Sequence, residues 1–443
     1  MPHRYPEGHL LYRNLARTYP LIIKAEGCWL YDSEGRSYLD GCGGAFVASL
    51  GHGVEDIVAW VAEQSRRVGY VSGVAFTNEA AEELALELSQ LALGDLQHFF
   101  FLSSGSDAVE AAVKLARQYW VELGRSDKRL IVALAPGYHG NTLLALSLGA
   151  REHSKTCFQP WLLDVARLPA PSAYRCPCRG ERGDCPRCTG SGLEELLLRL
   201  GPGNVAAFVG EPVGGSSSGA AVPRSEYWRT VREICDRHEV LWVADEVLVG
   251  AGRTGTWSAL EPYRATPDFQ VLGKGLSGGY APLAAVAAPR RILDVLAAGS
   301  AAVLHAQTFV HSPAICAAGT AAIRYLRQHD LLARCREMGQ RLHEKLNALR
   351  GCPPVGDIRG RGLLAGIEFV ADVESRAPFP RDKRFAERFA AAAERAGLMV
   401  WPSTGHADGV NGDLALLAPP FVITEPELDE IVARLRLALE AVT

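Results

Sequence analysis

LWVADEVLVGAGRTG (241–255) and, shortly after it, FQVLGKG (269–275) decide the fold. Each segment opens on a short, nearly unbroken apolar run and stops on polar residues. One run ends at Asp245-Glu246, the other at Gly273-Lys274-Gly275. A strand that is apolar on both faces is covered on both faces, as strands of parallel sheets are. The same shape recurs at HFFFLSS (98–104), LIVALA (130–135), VAAFVGEPV (205–213) and PLAAVAA (282–288). Helical spacing separates these runs. It is seen at 79–92, where Leu84, Leu88 and Leu91 repeat, at about 106–122, and at roughly 225–238. Strand and helix in alternation predict an α/β fold with a large, mostly parallel sheet and helices on both faces.

The ends of the chain read differently. CWLYDSEGRSYLD (28–40) is a hairpin pattern around Ser33-Glu34-Gly35. A long helical stretch (about 313–348) leads to RGLLAGIEFV (361–370), a helix near 383–397 and a last helix from Pro426. The expected division is an N-terminal segment (1–55) contributing to a small α+β domain, a large domain (56–320), and a C-terminal small domain (321–443). Residues 169–192, PAPSAYRCPCRGERGDCPRCTGSG, form a Pro-, Gly-, Cys- and Arg-rich insertion in the large domain.

Composition narrows the function. Of 443 residues, 48% are hydrophobic and 22% charged, which excludes a wholly disordered chain. The formal net charge of −4 gives no general attraction to nucleic acid or anionic lipid. There is no uninterrupted apolar run of about 18 residues to span a membrane. MPHRYPEGHLLYRNL (1–15) lacks the apolar core of a signal peptide, so a soluble cytoplasmic protein is expected.

In an open parallel sheet, ligands bind beyond the carboxyl ends of the strands. After 98–104 come Gly105 and Ser106, opening a helix whose free amides suit a phosphate. Taken alone, that segment is better explained as an ordinary helix cap, since caps far outnumber phosphate sites. After 130–135 comes Gly137-Tyr138-His139-Gly140, an aromatic pair that can stack on a planar ring or simply pack a loop. Glu211 and Asp245 end apolar strands and need partners. Lys274 at a strand mouth would be partly desolvated, which makes an amine nucleophilic, though taken alone a solvated turn lysine is the stronger reading. Gly250-Ala251-Gly252-Arg253-Thr254-Gly255 matches a dinucleotide fingerprint in spacing, but no helical pattern follows it. Phosphate cradle, aromatic, acid and lysine together describe one ligand: a phosphate, a planar ring whose nitrogen holds a proton, and an aldehyde. That ligand is pyridoxal 5′-phosphate.

At this point the chain resembles the class III (subgroup II) aminotransferases of the fold-type I pyridoxal-phosphate enzymes. SSGSDAVEAAVKLAR (103–117), GYHG (137–140), EPV (211–213), DEVLVGAGRTG (245–255), GKGLSGGYAPLAAV (273–286) and RGRGLLAGIEF (359–369) carry the resemblance across essentially the whole chain outside the insertion. It implies that Lys274 links covalently to the cofactor and shuttles a proton, and that Asp245 pairs with the ring nitrogen. Gly105 and Ser106 would hold the phosphate. Tyr138, with His139 beside it, and Val247 would flank the ring, and Glu211 would lie near its edge. Thr308 matches a threonine that reaches the phosphate of a neighbouring subunit, which implies a homodimer with shared sites. Phe46 and Phe76 fall where the family lines its substrate pocket. The implied reaction moves an amino group from an amine or ω-amino acid to a keto acid or aldehyde, by a ping-pong route. Decarboxylation, racemisation, an internal amino shift, or cofactor binding without turnover are the competing readings.

Two features depart from the family pattern. MVWPSTGHADGVNGDLALLAPP (399–420) holds no Arg where many relatives clamp a substrate carboxylate, so either another Arg serves or one substrate lacks that group. Leu248 and Val249 follow DEV where the family often has Gln and Thr, which favours a more apolar pocket. In the insertion, Cys176-x-Cys178 and Cys185-x-x-Cys188 put four thiols within 13 residues. They suit structural Zn²⁺; two disulfides or free thiols are the alternatives.

Overall fold

The central sheet orders its seven strands as His98–Leu102, Ala284–Ala288, Phe269–Leu272, Leu241–Asp245, Val205–Gly210, Leu130–Ala135 and Ala166–Pro169. This is a computed structural model, and it describes residues 3–151, 155–178 and 184–443. The strands from Phe269–Leu272 to Ala166–Pro169 pair in parallel. Ala284–Ala288 runs antiparallel to both neighbours, which corrects its expected place among the parallel strands. The connection 273–283 holds only the 3-10 turn Lys274–Leu276, too little for a crossover, so the chain doubles back.

Alternate residues of each strand feed opposite layers. Ala133, Ala207, Val209, Val243 and Val271 pack under the helix Gly105–Glu122, whose buried face carries Ala108, Ala111, Ala112 and Ala116. Small side chains let that helix lie close to the sheet. On the other face Val132, Leu134, Phe208 and Trp242 meet the helix Tyr227–Arg237. Trp228 and Trp242 stack there at 5.1 Å, and truncating either to Ala would cost about 3–5 kcal/mol.

The chain ends build two further four-stranded sheets. Ile22–Glu26, Trp29–Asp32 and Ser37–Asp40 are joined by Leu398–Met399, which pairs in parallel with Leu39 and Asp40. Val355–Gly360, Ala365–Phe369, Asp413–Leu417 and Trp401–Thr404 form an antiparallel sheet. One core holds Leu39, Ile367, Phe389, Phe421 and Ile431 together, so the two ends of the chain fold as one body. The helical stretch expected over 313–348 is two helices, Pro313–Gln328 and Leu331–Leu346. The break falls at Asp330, whose φ of +46° is left-handed, a conformation that Asp tolerates better than most residues. The helix Pro313–Gln328 runs unbroken across the 320/321 division and feeds both the small-domain core and the layer on the large sheet. Residues 179–183 of the 169–192 insertion, and residues 1–2, lie outside the described residues.

Candidate active site

The carboxyl edges of the parallel strands face one cavity of about 160 Å³. Gly105, Ser106, Tyr138, His139, Glu211, Asp245, Val247 and Lys274 all line it, although 169 positions separate the first from the last. Topology brings them together: they stand at the ends of five strands, and all five strands point the same way.

One end of the cavity is the start of the helix Gly105–Glu122. Ser104 caps it, its Oγ accepting from the Asp107 amide at 3.2 Å. The Ser106 hydroxyl accepts from the Asn141 amide at 3.1 Å, which ties the helix start to the aromatic loop. Two glycines are required here by space. A Cβ on Gly105 would sit 2.8 Å from Val247, and one on Gly140, at φ +136°, would sit 2.4 Å from the Ser106 Oγ.

The acids have separate tasks. Asp245 Oδ2 lies 2.7 Å from His139 Nδ1, and its Oδ1 accepts from the Val247 amide at 3.0 Å. Burial alone would lower the His139 pKa, but the hydrogen bond and charge of Asp245 outweigh it and the net shift is upward. His139 Nε2 is buried without a hydrogen-bond partner. Glu211 Oε2 accepts from the Tyr138 amide at 3.1 Å and the Ser217 hydroxyl at 2.9 Å, and Oε1 accepts from the Gly215 amide at 2.9 Å. Burial raises its pKa, with His139 opposing. Glu211 therefore fixes the loop that carries Tyr138. Glu246, next to Asp245, turns into the core instead, where Ser258, the Ala259 amide and Gln270 donate to it.

Lys274 is largely buried, and desolvation lowers its pKa while Asp245 and Glu211 pull the other way. Its φ of +44° is left-handed, a strain of about 1–3 kcal/mol that the surrounding fold must hold. Its Nζ lies 5.6 Å from the centroid of the Phe46 ring, and Phe46 packs on Trp401 at 5.4 Å. Phe46 is thus beside the cavity. Phe76 is not: it is 67% exposed, and Thr308 is exposed as well. Their two segments adjoin, however, since Tyr70 Oη donates to the Thr308 carbonyl at 3.1 Å and Asn78 to the His311 carbonyl at 2.8 Å.

Sequence reasoning did not single out Arg151, Ser216 or Ser403. The Arg151 guanidinium lies over the Tyr138 ring at 5.2 Å and donates to Ser216 Oγ at 2.8 Å and Ser403 Oγ at 3.1 Å. It places an arginine behind two lining residues, Tyr138 and Ser216, where the 399–420 stretch offers none. The fingerprint-like run 250–255 opens no helix. Arg253 is buried there, donates to the Leu363 and Pro419 carbonyls and stacks on Phe421, so it clamps the small domain.

The residues present fit pyridoxal 5′-phosphate: a desolvated amine, a carboxylate opposite it, a helix start for the phosphate, and Tyr138 and Val247 for the ring faces. Fold and cavity together define a fold-type I enzyme. The class-III aminotransferase profile matches residues 12–439, and the chain belongs to that family. It is 36% identical over 427 residues to the uncharacterized aminotransferase YodT of Bacillus subtilis, covering 96% of each chain. It superposes on an (S)-enantioselective omega-transaminase from Thermomicrobium roseum with a TM-score of 0.90 and 31% identity, over 98% of this chain and 96% of that one. An amine transaminase from an uncultivated Pseudomonas species, solved with pyridoxal phosphate bound, gives a TM-score of 0.88 at 30% identity over 98% of each chain. All three are aminotransferases by name, so amino transfer stands over decarboxylation, racemisation or an internal shift. Among the described residues no helix is long and apolar enough to cross a membrane.

Proposed function

We propose that Lys274 is the amine that carries the cofactor and moves the proton during amino transfer, with Asp245 as the counter-charge of the ring nitrogen. The observation that carries this is the convergence of Lys274 and the Asp245–His139 pair on one cavity. When bound, pyridoxal phosphate supplies an electron sink that makes the proton on the substrate's amino-bearing carbon removable. With the group bound, the Lys274 Nζ would take that proton and give it back, its amine kept reactive by burial. His139 holds the Asp245 carboxylate in orientation by a 2.7 Å hydrogen bond. Gly105 and Ser106 bind the phosphate, Tyr138 and Val247 hold the ring faces, and Glu211 fixes the Tyr138 loop.

The substrates are a donor amine or ω-amino acid and a keto-acid or aldehyde acceptor, handled in two half-reactions. Leu248, Phe46 and Trp401 make one side of the approach apolar, and Arg151 gives a carboxylate a place to bind. The working unit is a homodimer. Val74 (89% exposed), Phe76, Leu304 and Phe309 form an apolar surface around Thr308, and a second copy covers it so that Phe76 and Thr308 serve the neighbouring site. The protein works in the cytoplasm, and structural Zn²⁺ at the four thiols of the insertion belongs to the same reading. The test is a half-reaction: holoenzyme given a donor amine alone should release about one carbonyl product per site and lose its visible chromophore. Carbon dioxide release, or epimerisation of the donor with the chromophore unchanged, would refute it.

A further inference from the structure

A second cavity, about 970 Å³, is lined by the edge strand Ala166–Pro169 and by cysteines of the insertion. Nothing in amino transfer uses it. Resting on the zinc reading given above, we propose that the one Zn²⁺ held by Cys176, Cys178, Cys185 and Cys188 staples the insertion so that Arg175 braces the small-domain strand Ala365–Phe369.

The sulfur atoms carry the first half. Their Sγ atoms lie within 4.8 Å of one another. Cys176 is 3.1 Å from Cys178 and 3.5 Å from Cys185, and Cys178 is 3.5 Å from Cys188. Cys176 and Cys178 thus each have two sulfur neighbours, a cluster rather than two separate pairs. A tetrahedral zinc with bonds of about 2.3 Å sets sulfurs about 3.8 Å apart, inside the span seen here. Soft thiolates select zinc over magnesium or calcium. The local backbone is already shaped for it. Cys185 precedes the single turn Pro186–Thr189, the Cys188 amide donates to the Cys185 carbonyl at 2.9 Å, and Gly190 turns the chain away at φ +87°. Metal uptake replaces four thiol protons, which leave to solvent, and no electron moves. The resulting site carries a net charge of −2, and Arg167, Arg187 and Arg199 line the same cavity.

The insertion's outward contacts carry the second half. A segment this rich in Pro, Gly and Arg has little apolar surface to bury, so a metal is its natural core. Arg187 donates to the Ala170 carbonyl at 2.7 Å, which fastens the cysteine turn to the end of the edge strand. Arg175, adjacent to Cys176, donates to the fully buried carboxylate of Glu368 and, at 2.6 Å, to the Arg376 carbonyl. Arg376 in turn reaches the Tyr174 carbonyl. Glu368 also holds Arg359 at 2.6 Å, and Arg359 donates to the Ser218 carbonyl at 2.9 Å, in the loop that supports Glu211. The insertion therefore sits between the large sheet and the small-domain sheet, and the metal fixes the residue that spans them.

The test uses the full-length holoenzyme purified without chelator. Elemental analysis should find about one zinc per chain. Cobalt substitution should give the visible bands of tetrahedral thiolate coordination. Cys185→Ser/Cys188→Ser should lose the metal, keep the cofactor chromophore, and show amide exchange in residues 365–369 faster by about tenfold or more. Arg175→Ala should keep the zinc and still show that faster exchange. Should the double variant fail to fold, displacing the metal from folded wild-type protein with a mercurial gives the same exchange readout. A wild-type chain without zinc, or with iron in its place, overturns the metal site. Zinc present with exchange unmoved by metal loss and by Arg175→Ala overturns the staple. Neither result touches Lys274, whose chromophore is read separately.

Discussion

The cofactor edge and the cysteine clip are two cavities assembled in opposite ways. The first gathers single residues from five strand ends between Gly105 and Lys274, and no two adjacent motifs suffice to define it. The second draws all four of its thiols from residues 176–188. A site built by topology depends on the whole sheet to bring an amine, an acid and an aromatic ring within reach. A site built from consecutive residues needs only a local turn and a ligand. The first is thus the place for chemistry that depends on exact placement, and the second the place for a replaceable staple.

Four substitutions would break or sharpen that contrast. Lys274→Ala should lower kcat for amine-to-keto-acid transfer by about 10⁴-fold or more, with metal content and fold unchanged. Turnover within tenfold of wild type would remove Lys274 from the chemistry. Asp245→Asn keeps the shape but not the charge that faces His139, and should lower kcat by about 10³-fold with little change in metal content. Steady-state rates with a fixed donor read both. Arg151→Ala divides the cofactor edge further. The KM for a keto acid should rise about tenfold while the KM for a simple amine stays within about twofold. Equal changes for both substrates would show that the guanidinium does not read a carboxylate.

Glu246→Gln should leave kcat unchanged and act on stability alone. Burial lifts the Glu246 carboxyl to about 7, against the hydrogen bonds it accepts. The unfolded chain releases that proton near the ordinary carboxylate value, whereas the folded chain holds it until about 7. Its contribution is therefore full below the ordinary value and is lost as pH rises through about 7. Wild-type unfolding free energy, followed through Tm, should fall between about pH 5 and pH 8, and the Gln variant should flatten that fall by up to about 3 kcal/mol. Parallel Tm profiles would show that Glu246 is ionised throughout.

The sheet and its ligand-binding edge were legible because their signals are local. Apolar runs such as VAAFVG and LWVA mark strands buried on both faces, and the polar residue that stops each run marks the edge. The direction of Ala284–Ala288 was not legible, since it depends on what the connection 273–283 lacks. Val355–Gly360 (VGDIRG) and Trp401–Thr404 (WPST) carry Gly, Pro and charge with no two-residue alternation, so tertiary pairing alone makes them strands. Arg151 follows the short helix Leu143–Leu148 with no motif around it, and only the Tyr138 ring beneath it and the serines beside it reveal its place. The run GGSSSG (214–219) could have pointed to Ser216, because small polar residues after a strand-ending acid leave room for a ligand. Phe76 and Thr308 look outward in a single chain, and the roles proposed for them rest on the proposed dimer.

The central claim is that the amine of Lys274 holds the cofactor. Borohydride reduction of the coloured holoenzyme, followed by proteolysis and mass mapping, tests it most directly. The account predicts a single pyridoxyl-bearing peptide containing Lys274, absent from Lys274→Ala. The label on another lysine, or no stable label in a protein that still transfers amino groups, would contradict it.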